Sequence, residues 1–198
     1  MKIFSLSSKI IGQILIVIIF LSTTPVKSLD KFNSAGRISD YFSGILLLND
    51  NQYEDSLSYL KRLKGLETSH ENYSIKYLYS LINSGNFKEA FNYSKRLEKQ
   101  KKDSFESLII LGTYYLKTSN IDLAQKYFKK AKNSNSKFIL NKYISNSLYN
   151  WSSLSDLNQA TSDLNELDER FENLKKIQNV FLNCYFSNIN TNNLFNDI

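Results

Sequence analysis

An all-α protein built from stacked helical hairpins is the fold class that three features of this chain predict. The pattern Asn51-Gln52-Tyr53-Glu54-Asp55-Ser56-Leu57 recurs as Gly85-Asn86-Phe87-Lys88-Glu89-Ala90-Phe91 and as Ser119-Asn120-Ile121-Asp122-Leu123-Ala124-Gln125, each time 34 residues further on. A fixed period of that length marks an array of two-helix repeats. One proline and six glycines among 198 residues leave few breakers for β-turns. Apolar residues fall at three- and four-residue steps, the spacing of one helical face.

Residues 1–28 read as a secretory signal. Lys2 and Lys9 precede an apolar stretch from Ile10 to Leu21, interrupted by Gly12 and Gln13, and a small-residue pattern Val26-Lys27-Ser28 follows. Cleavage is expected after Ser28. The stretch is shorter than the roughly 20 residues of a membrane span, so an uncleaved anchor is the alternative and the membrane is otherwise no partner. No cysteine stands near the cleavage point for acylation. The expected location is therefore outside the cytoplasm, periplasmic where the cell has two membranes.

Charge excludes one class of partner. The whole chain carries 25 basic and 19 acidic residues, a formal +6. Removing Lys2, Lys9 and Lys27 with the signal leaves 22 against 19, or +3, and nucleic acid is not an expected partner. Cys184 is the single cysteine, so no intramolecular disulfide can form. It shares a helical stretch with Phe181, Leu182 and Tyr185, which predicts a buried thiol.

Laid over residues 32–168, the period gives units near 37–70, 71–104, 105–138 and 139–168. In the first helix of each of the first three units a close-packing site falls at Gly44, Leu78 and Gly112, and a larger one at Leu47, Leu81 and Tyr115. In the second helix the inward sites are Ser56, Ala90 and Ala124, then Leu60, Ser94 and Phe128, then Leu63, Leu97 and Ala131. Steps of four and three put each trio on one helical face. In the fourth unit Leu140, Tyr143, Ile144 and Tyr149 begin the hairpin, and Ala160, Leu164 and Leu167 arrive two residues late, implying a longer turn around Trp151–Asp156. Residues 169–198 begin a further hairpin: Phe171, Leu174, Ile177, Val180 and Phe181 form another apolar face, and its mate would start near Thr191.

The third unit carries Leu108-x-x-Leu111-Gly112-x-x-Tyr115 and then Ala124-x-x-x-Phe128-x-x-Ala131, which resembles the tetratricopeptide repeat. Gly112 and Ala124 would let the helices approach while Tyr115 and Phe128 fill the wedge between them. Gly44 in the first unit and Gly85, Asn86 and Ala90 in the second are partial matches. Thr68, Lys102 and Ser136 stand where the family often has proline. The resemblance implies an α-solenoid of about four to five antiparallel hairpins, the last incomplete, whose first helices line a concave groove. Groove-facing residues would be Tyr41, Ile45 and Leu48, then Ile75, Tyr79 and Ile82, then Ile109, Thr113 and Leu116. That face is apolar and aromatic, unlike a carboxylate clamp, and suits a helix or hydrophobic peptide. The same side chains would serve equally as packing against neighbouring helices or against chain beyond Ile198.

Other residues attract less chemistry. The pairs Lys61-Arg62, Lys95-Arg96 and Lys129-Lys130 are 34 apart and could form a basic ladder, yet cations near helix C-termini and acids such as Glu54, Asp55, Glu89 and Asp122 in first turns are what helix dipoles favour. His70, the single histidine, reads as a solvated loop residue. Asp163, Glu166, Asp168, Glu169 and Glu172 read as a charged face around a helix junction. No metal-ligand cluster, glycine-rich phosphate loop or nucleophile motif is evident, so neither catalysis nor a cofactor is expected. Two functions follow: a non-enzymatic scaffold for protein partners in the envelope, or the docking or structural arm of a longer envelope enzyme or assembly protein.

Overall fold

The computed structural model describes residues 28–134 and 138–196, with side chains from residue 35 onward. Within them the chain is helical and, among the described residues, contains no strand. In order, α1 spans Ser28–Asn49, α2 Tyr53–Lys61, α3 Glu71–Asn83, α4 Phe87–Lys99, α5 Phe105–Lys117, α6 Ile121–Lys132, α7 Ile139–Ser152, α8 Leu157–Asn165, α9 Glu172–Tyr185 and α10 Thr191–Asn196. Short 3-10 turns at Leu66–Thr68 and Glu169–Phe171 precede α3 and α9. Among the described residues no helix is long and apolar enough to cross a membrane. The segment assigned to export lies outside the described residues except for Ser28.

Helix ends repeat as faithfully as the sequence does. After α1, α3 and α5, residues Asn51, Gly85 and Ser119 adopt φ of 60°, 74° and 59°. Each left-handed residue reverses the chain so that the next N–H reaches back five positions: Gln52 to the Leu47 carbonyl, Asn86 to Leu81 and Asn120 to Tyr115, at 2.8, 2.8 and 2.9 Å. That pairing satisfies carbonyls which a helix end leaves orphaned. Starts are capped individually. Ser104 and Ser107 form a reciprocal capping box on α5, while Asn120 and Asp156 accept from backbone N–H groups at the starts of α6 and α8.

Each helix packs on the next, and α5 also touches α3 and α7, so first helices of successive hairpins lie against one another. The inward register predicted for the second helices holds throughout. Ser56, Leu60 and Leu63 in unit one, Ala90, Ser94 and Leu97 in unit two, and Ala124, Phe128 and Ala131 in unit three are all buried. Each buried leucine contributes roughly 2 kcal/mol by leaving water. Ala160, Leu164 and Leu167 are buried as well, two residues late. The delay has two sources: α7 runs one residue beyond its register, and its turn, 153–156, has four residues where 118–120 has three.

Small and large residues alternate across the hairpin interfaces. A Cβ placed on Gly44 would lie 2.8 Å from Leu60 Cδ2, and one on Gly112 would overlap the ring of Phe128. At the equivalent place in the second hairpin the sizes are exchanged, with Leu78 on the first helix and Ser94 on the second, both buried. Below Gly44, the Ser56 hydroxyl donates to the Gly44 carbonyl at 2.8 Å, and Ser80 donates to Ser56 at 3.0 Å, tying the first two hairpins together through buried polar groups.

Two expectations fail. Cys184 is exposed, because α9 turns Val180 and Leu182 inward and leaves Phe181, Cys184 and Tyr185 on the opposite face. The apolar residues of that helix thus divide between two faces. His70 is not a solvated loop residue: it caps α3, its Nδ1 accepting from the Tyr73 N–H at 3.2 Å, and its ring lies 5.1 Å from that of Tyr41.

Candidate functional site

The nine residues assigned to a groove separate into three groups. Tyr41 and Ile82 are half-buried against the core formed by the first two hairpins, and Ile109 is half-buried against the third; Ile45 and Ile75 are also half-buried. Leu48 is a correction, since it is 4% exposed and belongs to the core. Tyr79, Thr113 and Leu116 face solvent, Tyr79 at 52% and Leu116 at 39%. Periodicity placed these nine on one side of their helices, but it carries no information about what covers that side.

What the structure brings together is a cleft of about 770 Å³ between the α3–α4 turn and α5. Ile82, Gly85, Phe87 and Lys88 form one side, and Ile109, Ile110, Thr113 and Tyr114 form the other, with Lys117 and Thr118 at the end of α5. Its surface is mostly hydrocarbon. The Tyr114 ring is held flat against Phe91, their centroids 3.9 Å apart, and Thr118 donates to the Tyr114 and Tyr115 carbonyls at 3.1 Å. The wall is therefore ordered by contacts that do not involve an occupant.

The same place one repeat earlier is narrower. Tyr79 stands there where α5 has Thr113, and its ring meets that of Tyr53 edge-on at 6.2 Å. What remains is a smaller polar cleft of about 370 Å³ lined by residues including Asn51, Glu54, Asp55 and Asn83. At the second junction Thr113, with a short side chain, replaces that tyrosine, and the cleft is larger and more apolar.

Of the cleft residues, the groove assignment included Ile82, Ile109 and Thr113 and missed Phe87, Lys88, Ile110, Tyr114 and Lys117. Gly85, Phe87 and Lys88 come from the turn and the start of the second helix, and Ile110, Tyr114 and Lys117 lie on α5 beside the face that the resemblance assigns to the groove. A signal was present in the sequence: Lys88 stands in the first turn of α4 where the equivalent positions carry Glu54 and Asp122.

Five of the six cations of the basic ladder pair with acids of the protein itself. Lys61 pairs with Glu89 at 3.0 Å, Arg62 with Asp40 at 3.3 Å, Lys95 with Glu98 at 3.0 Å, Arg96 with Glu67 at 3.7 Å, and Lys130 with Asp103 at 2.9 Å. Arg62 and Arg96 also lie over the rings of Tyr59 and Tyr93 at 4.8 and 4.7 Å. Most of these acids come from neighbouring helices and turns rather than from the first-turn set named from sequence; Glu89 alone belongs to both. Burial by itself would raise the Glu89 and Glu98 carboxyls. Hydrogen bonds from Lys61 and Tyr77 to the former, and from Lys95 and Tyr127 to the latter, outweigh it and hold both below the ordinary carboxylate range.

The acidic junction near α8 and α9 is structural. Asp168 accepts from the Arg170 N–H at 3.0 Å and from its guanidinium at 2.6 and 2.8 Å, which holds its carboxyl down at about 2. Hydrophobic exposure is concentrated elsewhere: Ile38, Phe42 and Leu46 form a stripe on α1, and Phe181 and Tyr185 project from α9 at 59% and 66% exposure. Against known proteins, this chain matches no family model, no curated protein and no solved structure.

Proposed function

We propose that this chain is a non-enzymatic scaffold of tetratricopeptide-like hairpins, exported to the cell envelope, that holds a protein or peptide partner along its first helices. Support comes from one observation above the rest. Tyr79 and Leu116, on successive first helices that pack together, expose apolar surface on the side the resemblance assigns to partner binding. Exposed aromatic and aliphatic side chains of this kind are what an amphipathic helix or apolar peptide covers. The signal-like segment supplies the envelope location, and the ion-paired ladder argues for apolar rather than acidic recognition.

The test is capture from envelope fractions with wild type and a Y79A/L116A variant, each melted in parallel. Both side chains are exposed, so the melting temperatures should agree closely while specific partners are lost. Identical partner sets from both proteins would sink the groove assignment. Mass determination of the mature N-terminus checks the export component, and retention of Met1 would overturn cleavage after Ser28.

A second reading, in which these hairpins are the docking or structural arm of a longer envelope protein, is favoured by Phe181 and Tyr185. An aromatic pair this exposed on one helix is suited to being covered by another element. Protection of a cysteine probe at position 181 in the cell, but not in the purified chain, would support it.

A further inference from the structure

We propose that the cleft between the α3–α4 turn and α5 binds a single-chain lipidic anion, its aliphatic tail seated among Ile82, Phe87, Ile109 and Ile110 and its carboxylate held by Lys88 and Lys117. The space of about 770 Å³ falls within the range of small-molecule sites, roughly 300–1,000 Å³. It is not a by-product of the repeat. The equivalent junction one unit earlier holds Tyr79 against Tyr53 and keeps a smaller, polar cleft of about 370 Å³. Here Thr113 replaces that tyrosine, and Ile110 and Tyr114 stand where the earlier unit has Lys76 and Ser80.

The charges at the rim point to an anion. Lys88 occupies the first turn of α4, where the positive end of the helix dipole disfavours a cation. The two sibling helices obey the dipole at this register, with Glu54 and Asp122. Lys117 likewise stands where the flanking units have Asn83 and Trp151. Among the described residues neither lysine takes part in an ion pair or a hydrogen bond, in contrast to Lys61, Lys95 and Lys130 on the ladder. Two unpaired cations on one apolar cleft, one of them against the local electrostatic preference, are complementary to a negatively charged head on a hydrocarbon body.

Backbone chemistry selects a lipid over a peptide. Every peptide residue brings an N–H and a carbonyl that must be satisfied when covered. No amide side chain lines this cleft, and the Thr118 hydroxyl already donates to Tyr114 and Tyr115, so the polar groups left for such a purpose are the Thr113 and Tyr114 hydroxyls and the two lysines. An alkyl tail needs no such partner. The inference stands on the cleft and does not depend on a protein partner along the first helices.

The experiment is titration of the purified full chain by calorimetry with hexadecanoate below its micelle concentration, with hexadecyltrimethylammonium as a cationic control of equal tail length. Two variants borrow residues that the protein already carries at the same register: Thr113→Tyr, which fills the cleft, and Lys88→Glu, which reverses one charge. Melting curves confirm that both remain folded. Expected are saturable one-to-one binding of hexadecanoate, at least tenfold weaker binding by K88E, loss of binding by T113Y, and preference for the anion over the cation. Absence of saturable binding, equal binding of the two amphiphiles, or binding unaltered by T113Y would overturn the proposal, as would preference for an acidic apolar peptide over hexadecanoate. Because the readout is a small ligand on the isolated chain, its failure leaves the scaffold reading to be judged on its own test.

Discussion

Gly112 lies beneath the ring of Phe128 across the α5–α6 interface, so closely that a single added methyl would overlap the ring. Gly44 stands to Leu60 in the same way, and Leu78 and Ser94 exchange the sizes in the hairpin between them. The interface volume is thus conserved while the helix that supplies it alternates. Gly112→Leu should destabilise by about 1–3 kcal/mol through overpacking. Adding Phe128→Ser should recover at least about 1 kcal/mol, a positive coupling in a double-mutant cycle by urea denaturation. Additive losses would show that the two residues do not share one space.

Ser94, which the repeat register sets opposite Leu78, has a hydroxyl that is buried and without a hydrogen-bond partner among the described residues. Its desolvation is uncompensated. Ser94→Ala keeps nearly the same volume, removes the orphan group and improves helix propensity, so it should stabilise by about 1 kcal/mol. The denaturation midpoint reads this directly, and a loss of stability would mean that the hydroxyl is satisfied in solution.

Glu89 joins its hairpin to the first through Lys61 and Glu98 joins it to the third through Tyr127 and Lys130, while Tyr77 and Lys95 bind these carboxylates within the second hairpin itself. Their folded-state carboxyls titrate lower than in the unfolded chain, where the value is about 4.3. Their contribution is therefore present above that unfolded value and is lost as pH falls through the lower folded one. An E89Q/E98Q variant should lose about 1 kcal/mol at neutral pH and show a flatter acid limb than wild type. Parallel acid limbs in urea midpoints would assign the pH dependence to other groups.

Tyr73, Tyr77 and Tyr93 form a buried ring cluster, with centroids of successive pairs 5.7 and 4.8 Å apart. Burial is the main reason that all three phenols resist ionisation, and it pushes Tyr93 up to about 12. A raised folded value means stability is fully present below the unfolded value of about 10 and is lost as pH rises through the folded one. Tyr93→Phe removes one such group, at the expense of its 3.2 Å bond to Ser74, and should hold stability better on the alkaline side. Denaturation midpoints followed upward from about pH 9 check this, and a Tyr93→Phe curve falling as steeply as wild type counts against it.

The repeat was legible in the sequence because packing leaves a periodic trace. Ser56, Leu60 and Leu63 with their mates at 34-residue spacing are buried as the period requires, and the two-residue lag at Ala160 marked a longer turn. The cleft was legible only in part. Ile82, Ile109 and Thr113 are legible as the same side of two successive first helices, whereas how open that side is depends on bulk such as that of residue 79 against residue 113, a comparison between units. Leu48 and Cys184 show the same limit from opposite directions. Each lies on a face that is apolar in sequence, but neighbouring helices cover the first and leave the second exposed.

The exchange of size between Gly44–Leu60, Leu78–Ser94 and Gly112–Phe128 also bears on how the chain avoids pairing with itself incorrectly. Repeats of similar sequence invite slipped or swapped assemblies, in which a first helix docks on the second helix of another unit. If α3 docked on α6, Leu78 would be driven against Phe128; if α5 docked on α4, Gly112 would leave a void beside Ser94. Either exchange is penalised by shape alone, so each hairpin carries a key that fits its own lock and fits its neighbour's poorly.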